Sequence, residues 1–490
     1  MIFKIGDKKL KVLIVASEVA PYAKTGGLAD VCGALPKALL KKGCDVRVIM
    51  PLYKEVLHNT RNIKKIQADI YRSDLGHFEK FDLYSHEEGD LTTYFIDNKK
   101  FFDRDELYCT SEGDYEDNAQ RFAFFSKASL AAVKAIGFKC DIMHLNDWQT
   151  ALIPMYLKNH LKNDSFYNEI KTLFTIHNLA YHGQFPKEIL KEVDIPRHLF
   201  NMHDMEFYGK VNFLKSGLLY SDHLSTVSKG YAKEILTEEY GCGLAGVLNL
   251  RRDVLRGITN GVDYLQWDPS TDIYLKENFS AEHLHEKIIC KKDLIDVVGL
   301  NIDINQPLFG IITRLAWQKG LDMFDDICEN ILRMGAGIVV LGKGEKEIED
   351  KLEQLESAFP GQISVNIKFD NALAHKIEGG SDFFLMPSRY EPCGLNQMYS
   401  LRYGTVPVVR ATGGLDDVIV DIKENPEKGN GFKFGPAEKE AFLEAVTRAI
   451  NFYKDKIKFT RLQEKIMKED YSWDMSADRY IGLYKDICGK

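Results

Sequence analysis

The sequence predicts an α/β protein made of two Rossmann-like domains, each with a parallel sheet. Short runs of β-branched and apolar residues alternate with helix-length amphipathic segments along the chain, a pattern typical of βαβ units. The chain has 490 residues, which is too long for one ordinary hydrophobic core and suits two. A turn-rich segment at 258–269, which contains Asn-Gly, Trp and Pro, separates two series of predicted strands.

The predicted strands follow one another in these two series, with helix-length segments in most of the gaps of the first. The first series lies at 11–17, 45–50, 141–145, 171–176 and 222–227. The second series lies at 307–313, 337–341, 363–369, 383–386 and 406–409. Each series therefore predicts its own sheet, since parallel strands need crossover connections of about a dozen residues or more.

Composition and charge argue against several classes of protein. The formal net charge is −8 and the basic residues are scattered, so nucleic acid is not an expected partner. The longest apolar runs are far shorter than the about 20 residues that span a bilayer, so no membrane segment is predicted. Nine cysteines without a Cys-x-x-Cys pair are typical of reduced thiols in a cytoplasmic protein. The apolar run of residues 1–18 is short and ends at Glu18, which predicts no cleaved signal.

Polar residues follow several strands of the first series. Gly26 and Gly27 stand between the first strand and a helix, where amide groups and the helix dipole favour an anion, and Lys24 adds a positive charge. The motif is neither a Walker loop nor a dinucleotide fingerprint, and it also fits a tight turn with a surface lysine. Asp147 and His177 follow two later strands and are candidates to bind sugar hydroxyl groups.

Two aromatic residues accompany these side chains. Trp148 and Tyr181 are candidates for the flat contacts that sugar rings favour, although each also fits an ordinary loop or core position. The Thr-Gly-Gly-Leu pattern at 25–28 returns at 412–415, after a late strand of the second series. The repeat marks a second candidate phosphate loop.

The second series carries cations and a carboxylate at equivalent places. Arg314 and Lys319 lie between a strand and a helix, where they could neutralise a departing diphosphate. Glu391 lies in the loop that follows another strand and is a candidate to hold a sugar ring. Solvated charges at a helix start, and an acidic helix cap, remain the alternatives that the residues alone allow.

No metal site is predicted. Asp103 and Asp105 resemble an acidic metal-binding pair, but such a pair arises often by chance in a polar stretch. His283 and His285 have no carboxylate or thiol at a spacing that would complete a zinc site. Cys393 has no neighbouring His or Asp in the sequence to activate it, so it is interpreted as a packing thiol.

Seven motifs occur in the order found in the bacterial glycogen synthases and plant starch synthases, and they cover nearly the whole chain. They are KTGGLAD (24–30), HLNDW (144–148), FTIHNLAYHG (174–183), ITNGVD (258–263), TRLAWQKGLD (313–322), SRYEPCGLNQ (388–397) and TGGLDD (412–417). The sequence therefore resembles this family of glycosyltransferases.

The resemblance implies the GT-B fold, in which two Rossmann-like domains face an interdomain cleft. It implies an N-terminal acceptor-side domain at 1–257 that is completed by the C-terminal helix at 473–490, with the helix itself at about 473–488. It implies a C-terminal nucleotide-sugar domain at 258–472.

The resemblance also implies a reaction. Glucose would pass from ADP-glucose to the 4-hydroxyl at the non-reducing end of an α-1,4-glucan such as glycogen, with retention of configuration, no metal and no other cofactor. UDP-glucose as donor and a non-catalytic glucan-binding subunit remain open alternatives. A dehydrogenase is disfavoured because the dinucleotide fingerprint is missing.

The family's functional residues map onto matching positions of this chain. The catalytic set would be Glu391, His177, Asp147, Arg314 and Lys319. The set that binds ADP-glucose would be Lys24, Gly26, Gly27, Asp30, Asn260, Cys393, Gly394 and Leu395. The chain has Asn396 where many relatives carry Thr or Ser, and Tyr399 where other retaining GT-B enzymes often carry a second Glu.

Overall fold

The protein forms two compact units. The structure, a computed structural model, describes residues 9–110 and 113–489. The first unit contains the chain up to Val227, Ala232–Gly261 and the chain from Trp473 onward, and the second contains Ser228–Tyr231 and Val262–Ser472. Residues 1–8, where the segment predicted not to be a signal begins, lie outside the described residues.

The first unit is built around a nine-stranded sheet with two small sheets beside it. Its strands are β1 Lys11–Val15, β2 Asp45–Pro51, β3 Lys64–Ile70, β4 Phe81–Glu88, β5 Leu91–Asp97, β6 Cys109–Thr110, β7 Gly113–Asp114, β8 Ile142–Asn146, β9 Lys171–Ile176, β10 Gln184–Pro186, β11 Glu206–Phe207, β12 Lys210–Asn212, β13 His223–Thr226 and β14 Leu255–Gly257. Its helices are α1 Gly27–Lys41, α2 Lys54–Asn59, α3 Lys99–Phe102, α4 Asn118–Ala135, α5 Ile153–Asn159, α6 Phe213–Tyr220, the second half of α7 Lys229–Glu234, which is divided between the units after Tyr231, and α8 Ala245–Leu250.

The large sheet has the order β14-β13-β9-β8-β1-β2-β5-β4-β3. Its strands are parallel except at the β5–β4 and β4–β3 pairs, which are antiparallel. The chain runs from β1 to β2 on one side and returns to β8 on the other, so the order reverses between β1 and β8. In open α/β sheets ligands bind beyond the carboxyl ends of the strands at such a reversal.

The second unit has a six-stranded, fully parallel sheet. Its strands are β15 Leu308–Ile312, β16 Gly337–Gly342, β17 Ile363–Ile367, β18 Phe383–Met386, β19 Val406–Arg410 and β20 Phe432–Phe434. Its helices are α9 Lys287–Val298, α10 Leu321–Arg333, α11 Lys346–Ala358, α12 Asn371–Gly380, α13 Asn396–Arg402, α14 Gly413–Val418, α15 Lys439–Tyr453 and α16 Lys456–Ile466.

The order of this sheet is β17-β16-β15-β18-β19-β20, so it reverses between β15 and β18. Apolar side chains of β15 and β18, such as Leu308 and Phe384, pack with Leu294 of α9 and Ile377 of α12 in one buried cluster. The second reversal is thus held by a rigid core. The loops that leave β15 and β18 start from fixed positions.

The last helix, α17 Trp473–Cys488, returns to the first unit. Lys41 and Lys42 at the end of α1 form ion pairs with Asp474 and Asp478, and Tyr484 bonds the buried His144 of β8. The ends of helix α17 coincide with the range 473–488 that the resemblance implies. None of the helices within the described ranges is long and apolar enough to cross a membrane.

The predicted fold class is confirmed, and all ten predicted strands exist with ends that differ by at most two residues. The sequence did not indicate the antiparallel extension β3–β4–β5 or the short strands β14 and β20. Strand β3, with the sequence KKIQADI, is exposed at all but its last residue, so it lacks the apolar alternation that marks a half-buried strand.

Candidate active site

The glycine loop after β1 is ordered by a buried carboxylate. Glu18 accepts hydrogen bonds from the backbone amides of Thr25 and Gly26, at 2.6 and 3.2 Å. The amide of Gly26, which the sequence offered to an anion, and the neighbouring amide of Thr25 are therefore already bound. Lys24, whose side chain is 54% exposed, pairs with Asp30 at 2.7 Å.

Asp147 lies at the end of β8, on the other side of the first reversal. Its backbone has a φ of 54°, in the left-handed region that Asp and Asn tolerate better than most residues. Its Oδ1 accepts a hydrogen bond of 2.7 Å from the backbone amide of His177. Burial raises the pKa of Asp147 to about 7, the amides of His177 and Asn178 oppose that rise, and the charge of Glu18 adds to it.

The tautomer of His177 follows from its neighbour. The amide nitrogen of Asn146 donates to the carbonyl oxygens of Val15 and His144, so its oxygen faces His177 Nε2 at 2.9 Å. The proton must then lie on Nε2, and Nδ1 is left as an acceptor. Burial lowers the pKa of His177 to about 3, so the ring is neutral at physiological pH.

The two predicted aromatic contacts differ in their surroundings. Tyr181 is 51% exposed and its ring is available to a ligand. Trp148 instead packs edge-on against Phe122, with ring centroids 4.9 Å apart. A Cβ atom at Gly183 would lie 2.4 Å from the indole, so this glycine lets the chain pass close to the ring. Packing is therefore a main role of Trp148.

Asn260 lies after β14, another parallel strand of the same sheet. The residue is only 7% exposed. Its side-chain oxygen is buried and has no hydrogen-bond partner within the part of the chain that the structure describes. A buried acceptor without a donor is costly, so this oxygen is suited to a ligand or a water molecule.

The second unit places a cation and a carboxylate in direct contact at its own reversal. Lys319, after β15, forms an ion pair with Glu391, after β18, at 2.6 Å, and their side chains are 15% and 8% exposed. Ser388 donates a second hydrogen bond to the same carboxylate oxygen at 2.9 Å. Arg314 is exposed, and its side chain has neither a hydrogen bond nor an ion pair with any described residue. Its guanidinium is open to an anion.

Glycines allow the loops of this unit to touch. Gly320 has a φ of +67°, and a Cβ atom there would lie 2.1 Å from the carbonyl oxygen of Pro387. A Cβ atom at Gly414 would lie 2.0 Å from the carbonyl oxygen of Cys393. The amide of Gly414 also donates to the carbonyl oxygen of Glu391 at 3.0 Å, so one amide of the second candidate phosphate loop is already used.

The helix that follows Glu391 is anchored by side-chain amides. Asn396 donates to the carbonyl oxygen of Ile312 at 2.8 Å, which ties the start of α13 to the end of β15. Gln397 donates to the carbonyl oxygens of Cys393 and Gly394. Cys393 is buried, Gly394 has a φ of +68°, and Leu395 is partly exposed at the N-cap of α13.

Sequence reasoning missed three residues at these edges. Glu18 was noticed only as the end of an apolar run. Phe369 follows β17 and is 81% exposed, and Trp317 lies beside Lys319 and is 60% exposed. A large aromatic side chain in the loop after a predicted parallel strand was the signal that could have identified Trp317, whereas Phe369 falls inside the predicted strand 363–369 and gave no such signal.

Two of the residues considered for metal binding, Asp105 and His285, have other partners. Asp105 forms an ion pair with Lys54 at 2.5 Å. Arg104, between the two aspartates, pairs with Asp117. His285 lies 3.1 Å from Glu286. The described residues contain no group of three or more His, Cys, Asp or Glu side chains that could hold a metal ion.

Comparison with known proteins places the chain in a family. The family model for the starch synthase catalytic domain matches residues 11–250, and that for glycosyl transferases group 1 matches residues 296–466. The glycogen synthase of Geotalea daltonii is 45% identical over 482 residues, which cover 98% of this chain and 99% of that protein. The chain belongs to the glycogen synthase family. The glycogen synthase of Thermosipho melanesiensis is 44% identical over 98% of this chain and 100% of its own length.

Solved structures agree with this membership. The catalytic domain of starch synthase IV from Arabidopsis thaliana, solved with ADP and acarbose, has a TM-score of 0.91 and 35% identity, with 99% of this chain and 100% of that chain covered. Sucrose-phosphate synthase from Thermosynechococcus elongatus shares only the fold, with a TM-score of 0.61 and 14% identity over 98% of this chain and all of that chain. The recognised resemblance and the GT-B fold class are confirmed, and the chain is a glycosyltransferase of the glycogen synthase family.

Proposed function

We propose that this protein is a glycogen synthase that transfers glucose from ADP-glucose to the non-reducing 4-hydroxyl end of an α-1,4-glucan, with retention of configuration. The observation that carries the proposal is the 45% identity to glycogen synthase over nearly the full length of both chains. The polar loops at the two sheet reversals supply the groups that such a transfer needs.

In this proposal cationic side chains bind the donor's diphosphate. Arg314 and Lys319 bind the leaving phosphates, Arg as a planar fork and Lys as a point charge. Lys24 and Gly27 contribute from the first unit, with Gly26 and Asp30 beside them. Lys24 must leave Asp30 and Lys319 must share its charge with Glu391 when the donor binds, because both ammonium groups are paired in this structure.

In this proposal hydrogen-bond acceptors hold the glucose ring. Glu391 accepts from hydroxyl groups, and the unprotonated Nδ1 of His177 accepts from another. Asp147 lies near donor and acceptor. Asn260, Cys393, Gly394 and Leu395 complete the donor contacts, and the exposed ring of Phe369 provides a flat surface for the base.

Retention by double displacement would require a carboxylate nucleophile. Glu391 is engaged by Lys319 and Ser388, and no other carboxylate is proposed to hold the glucose ring. We therefore favour front-face substitution, in which the leaving phosphate helps to deprotonate the acceptor hydroxyl. Mass spectrometry of the enzyme trapped during turnover tests this step, and a side chain that carries a covalent glucosyl group would overturn it.

The two units have different binding roles in this proposal. Residues 1–257 with the helix at 473–490 form the acceptor-side domain, and residues 258–472 form the nucleotide-sugar domain. The protein acts in the cytoplasm, without a metal or other cofactor and without nucleic-acid or membrane partners.

The test is transfer of labelled glucose to glycogen from ADP-glucose and UDP-glucose in parallel. Transfer from ADP-glucose is expected, and Glu391→Gln is expected to reduce it by about 100-fold or more, because a charged contact to the transition state is lost. The matched control is Glu347→Gln, whose carboxylate is 84% exposed on α11, and it should keep full activity. Transfer from UDP-glucose alone would show that the donor is UDP-glucose instead of ADP-glucose. Transfer from neither would favour a glucan-binding subunit.

A further inference from the structure

Glu18 lies buried beneath the loop that we propose to bind the donor. It is only 4% exposed. Its Oε2 accepts the amide hydrogens of Thr25 and Gly26, and its Oε1 accepts the hydroxyl hydrogens of Thr25 and Tyr108, both at 2.7 Å. Four donors thus surround one carboxylate, two on each oxygen.

The donor from Tyr108 is itself held in place. The side-chain amide of Asn118, at the start of α4, donates to the carbonyl oxygen of Tyr108 at 2.9 Å, and the Tyr108 hydroxyl also contacts Ser17 Oγ at 2.7 Å. Burial, together with the charge of Glu18, holds the pKa of Tyr108 well above its usual range, so its hydroxyl keeps its proton. The carboxylate is therefore fixed from two directions, by the glycine loop and by the chain around Tyr108.

The burial of Glu18 costs folding free energy, and a role of this residue in function would explain why it is there. Burial of a carboxylate is unfavourable, and among the described residues no Lys, Arg or His forms an ion pair with Glu18. Its negative charge also lies under a loop that should attract an anion, and it uses amides that could otherwise bind phosphate. The hydrogen bonds offset the burial, but electrostatics alone would favour a neutral residue here.

What the carboxylate does is hold the shape of the loop. The opposite side of the segment is held by α1, because Gly33 has no side chain and a Cβ atom there would lie 2.4 Å from the carbonyl oxygen of Ala20. With both sides held, the amides of Thr25 and Gly26 and the hydroxyl of Thr25 point to Glu18, and the side chain of Lys24 and the backbone of Gly27 are exposed.

We propose that Glu18 is a positioning residue for donor binding, which acts through Thr25 and Gly26 to present Lys24 and Gly27 to the diphosphate of the nucleotide sugar. The proposal rests on the proposed function. Glu18 does not touch the donor in this role. Its effect should appear in donor affinity and not in acceptor affinity.

The opposite role would give the opposite sign. If Glu18 were a substitute anion that the donor's phosphate must displace from the two amides, then removal of its charge would tighten ADP binding. If Glu18 only stabilised the fold, donor and acceptor parameters would change together, or neither would change.

The experiment compares Glu18→Gln with the wild-type protein. Glutamine has the same shape as glutamate, but its NH2 group would face hydrogen-bond donors from which it cannot accept. The loop therefore loses hydrogen bonds that fix its conformation. The KM for ADP-glucose and the Kd for ADP, measured by calorimetry, should rise about tenfold or more, which corresponds to about 1.4 kcal/mol, while the KM for glycogen stays unchanged. Tyr108→Phe removes one of the four donors and should give a smaller change in the same direction.

Asp222→Asn is the matched control. Asp222 accepts from the amide and hydroxyl of Thr172, at 2.8 and 2.9 Å, much as Glu18 accepts from Thr25, but it lies at the amino-terminal edge of the same sheet. The control should lose stability without a change in donor KM. Tighter ADP binding by Glu18→Gln, unchanged donor parameters, or equal changes for donor and glycogen would each overturn the proposal. Failure of the wild-type protein to transfer glucose would contradict the proposed function, and failure to bind ADP would overturn both.

Discussion

At the scale of single residues, the two sites combine charged and neutral groups whose protonation is set by their surroundings. His177 is neutral with its proton on Nε2, because burial lowers its pKa to about 3 and Asn146 accepts from that nitrogen. Asp147, one strand away, has a pKa of about 7 for the same physical reason acting on an acid. Burial disfavours the charged form of each group, and so moves the two pKa values in opposite directions.

Asp147 should make stability depend on pH. Its pKa is about 7 in the folded state against an ordinary 3.8, so its ionised form is disfavoured by folding. The folded protein holds the extra proton between these values, and this group's contribution to stability is lost as the pH rises through about 7. Asp147→Asn cannot ionise, so its stability relative to wild type should rise between pH 5 and pH 8, by about 1–3 kcal/mol, because at most about two pH units of this window lie below the folded pKa.

Thermal or denaturant unfolding at the two pH values measures this difference. Asparagine also tolerates the positive φ of this position, so the backbone should not add strain. The control is Asp253→Asn, at a carboxylate that is 97% exposed, for which the difference from wild type should be the same at both pH values. A stability difference for Asp147→Asn that falls with rising pH would show that the carboxylate is better stabilised in the folded protein than in water.

At the scale of elements, long-range contacts hold short loops and helices. Trp267, in the chain that follows β14, is stacked between His375 of α12 and Tyr399 of α13, with centroid distances of 3.9 and 4.1 Å and nearly parallel rings. Tyr399 occupies the position where other retaining GT-B enzymes often carry a second Glu, and here it packs instead of presenting a carboxylate. The stack braces α13, which begins five residues after Glu391.

Helix α17 should be a main stabiliser of the first unit. Tyr484 is fully buried and lies 2.8 Å from His144 Nδ1. Tyr484→Ala should cost about 3–5 kcal/mol, as for other large buried rings. Tyr484→Phe should cost about 1–3 kcal/mol, because it leaves a buried ring nitrogen without a partner.

Hydrogen exchange measures which segments lose stability in the two Tyr484 variants. Peptides from β8 and α1 should lose protection in both variants, while peptides from the second unit should keep theirs. Tyr208→Phe, at a side chain that is 83% exposed, serves as the control and should match wild type. Equal loss of protection in both units would mean that α17 does not act locally.

At the scale of the whole molecule, each unit has cationic side chains after a strand of its own sheet, Lys24 in the first unit and Arg314 and Lys319 in the second. If these side chains bind the diphosphate as we propose, they take the role that a metal ion has in other glycosyltransferases, and transfer from ADP-glucose should continue at the same rate with excess EDTA. The measurement is initial rate with EDTA, with added Mg2+, and with neither. A rate that EDTA abolishes and Mg2+ restores would contradict this expectation.

Much of the fold could be predicted from the sequence because local residue patterns indicate its strands and helices. The apolar strands and the helices between them follow from periodicity, and the predicted second-series strand at 383–386 coincides with β18. Strands β3 and β20 were missed because an exposed edge or a length of three residues carries no such pattern. The site residues could be named because chemistry-bearing side chains follow strands, and seven ordered motifs connected them to one family.

The sequence by itself determined the class of fold, the family and which residue types stand at each loop. Only the tertiary structure decided how those residues are used. Glu18 turns two amides of the glycine loop inward, Lys319 is paired with Glu391, and Asn146 sets the tautomer of His177. The last two pairings join residues that are far apart in the chain, and the first closes a turn whose conformation the apolar pattern does not define. A hydrogen bond between such residues depends on distance in space, and local sequence patterns do not encode it.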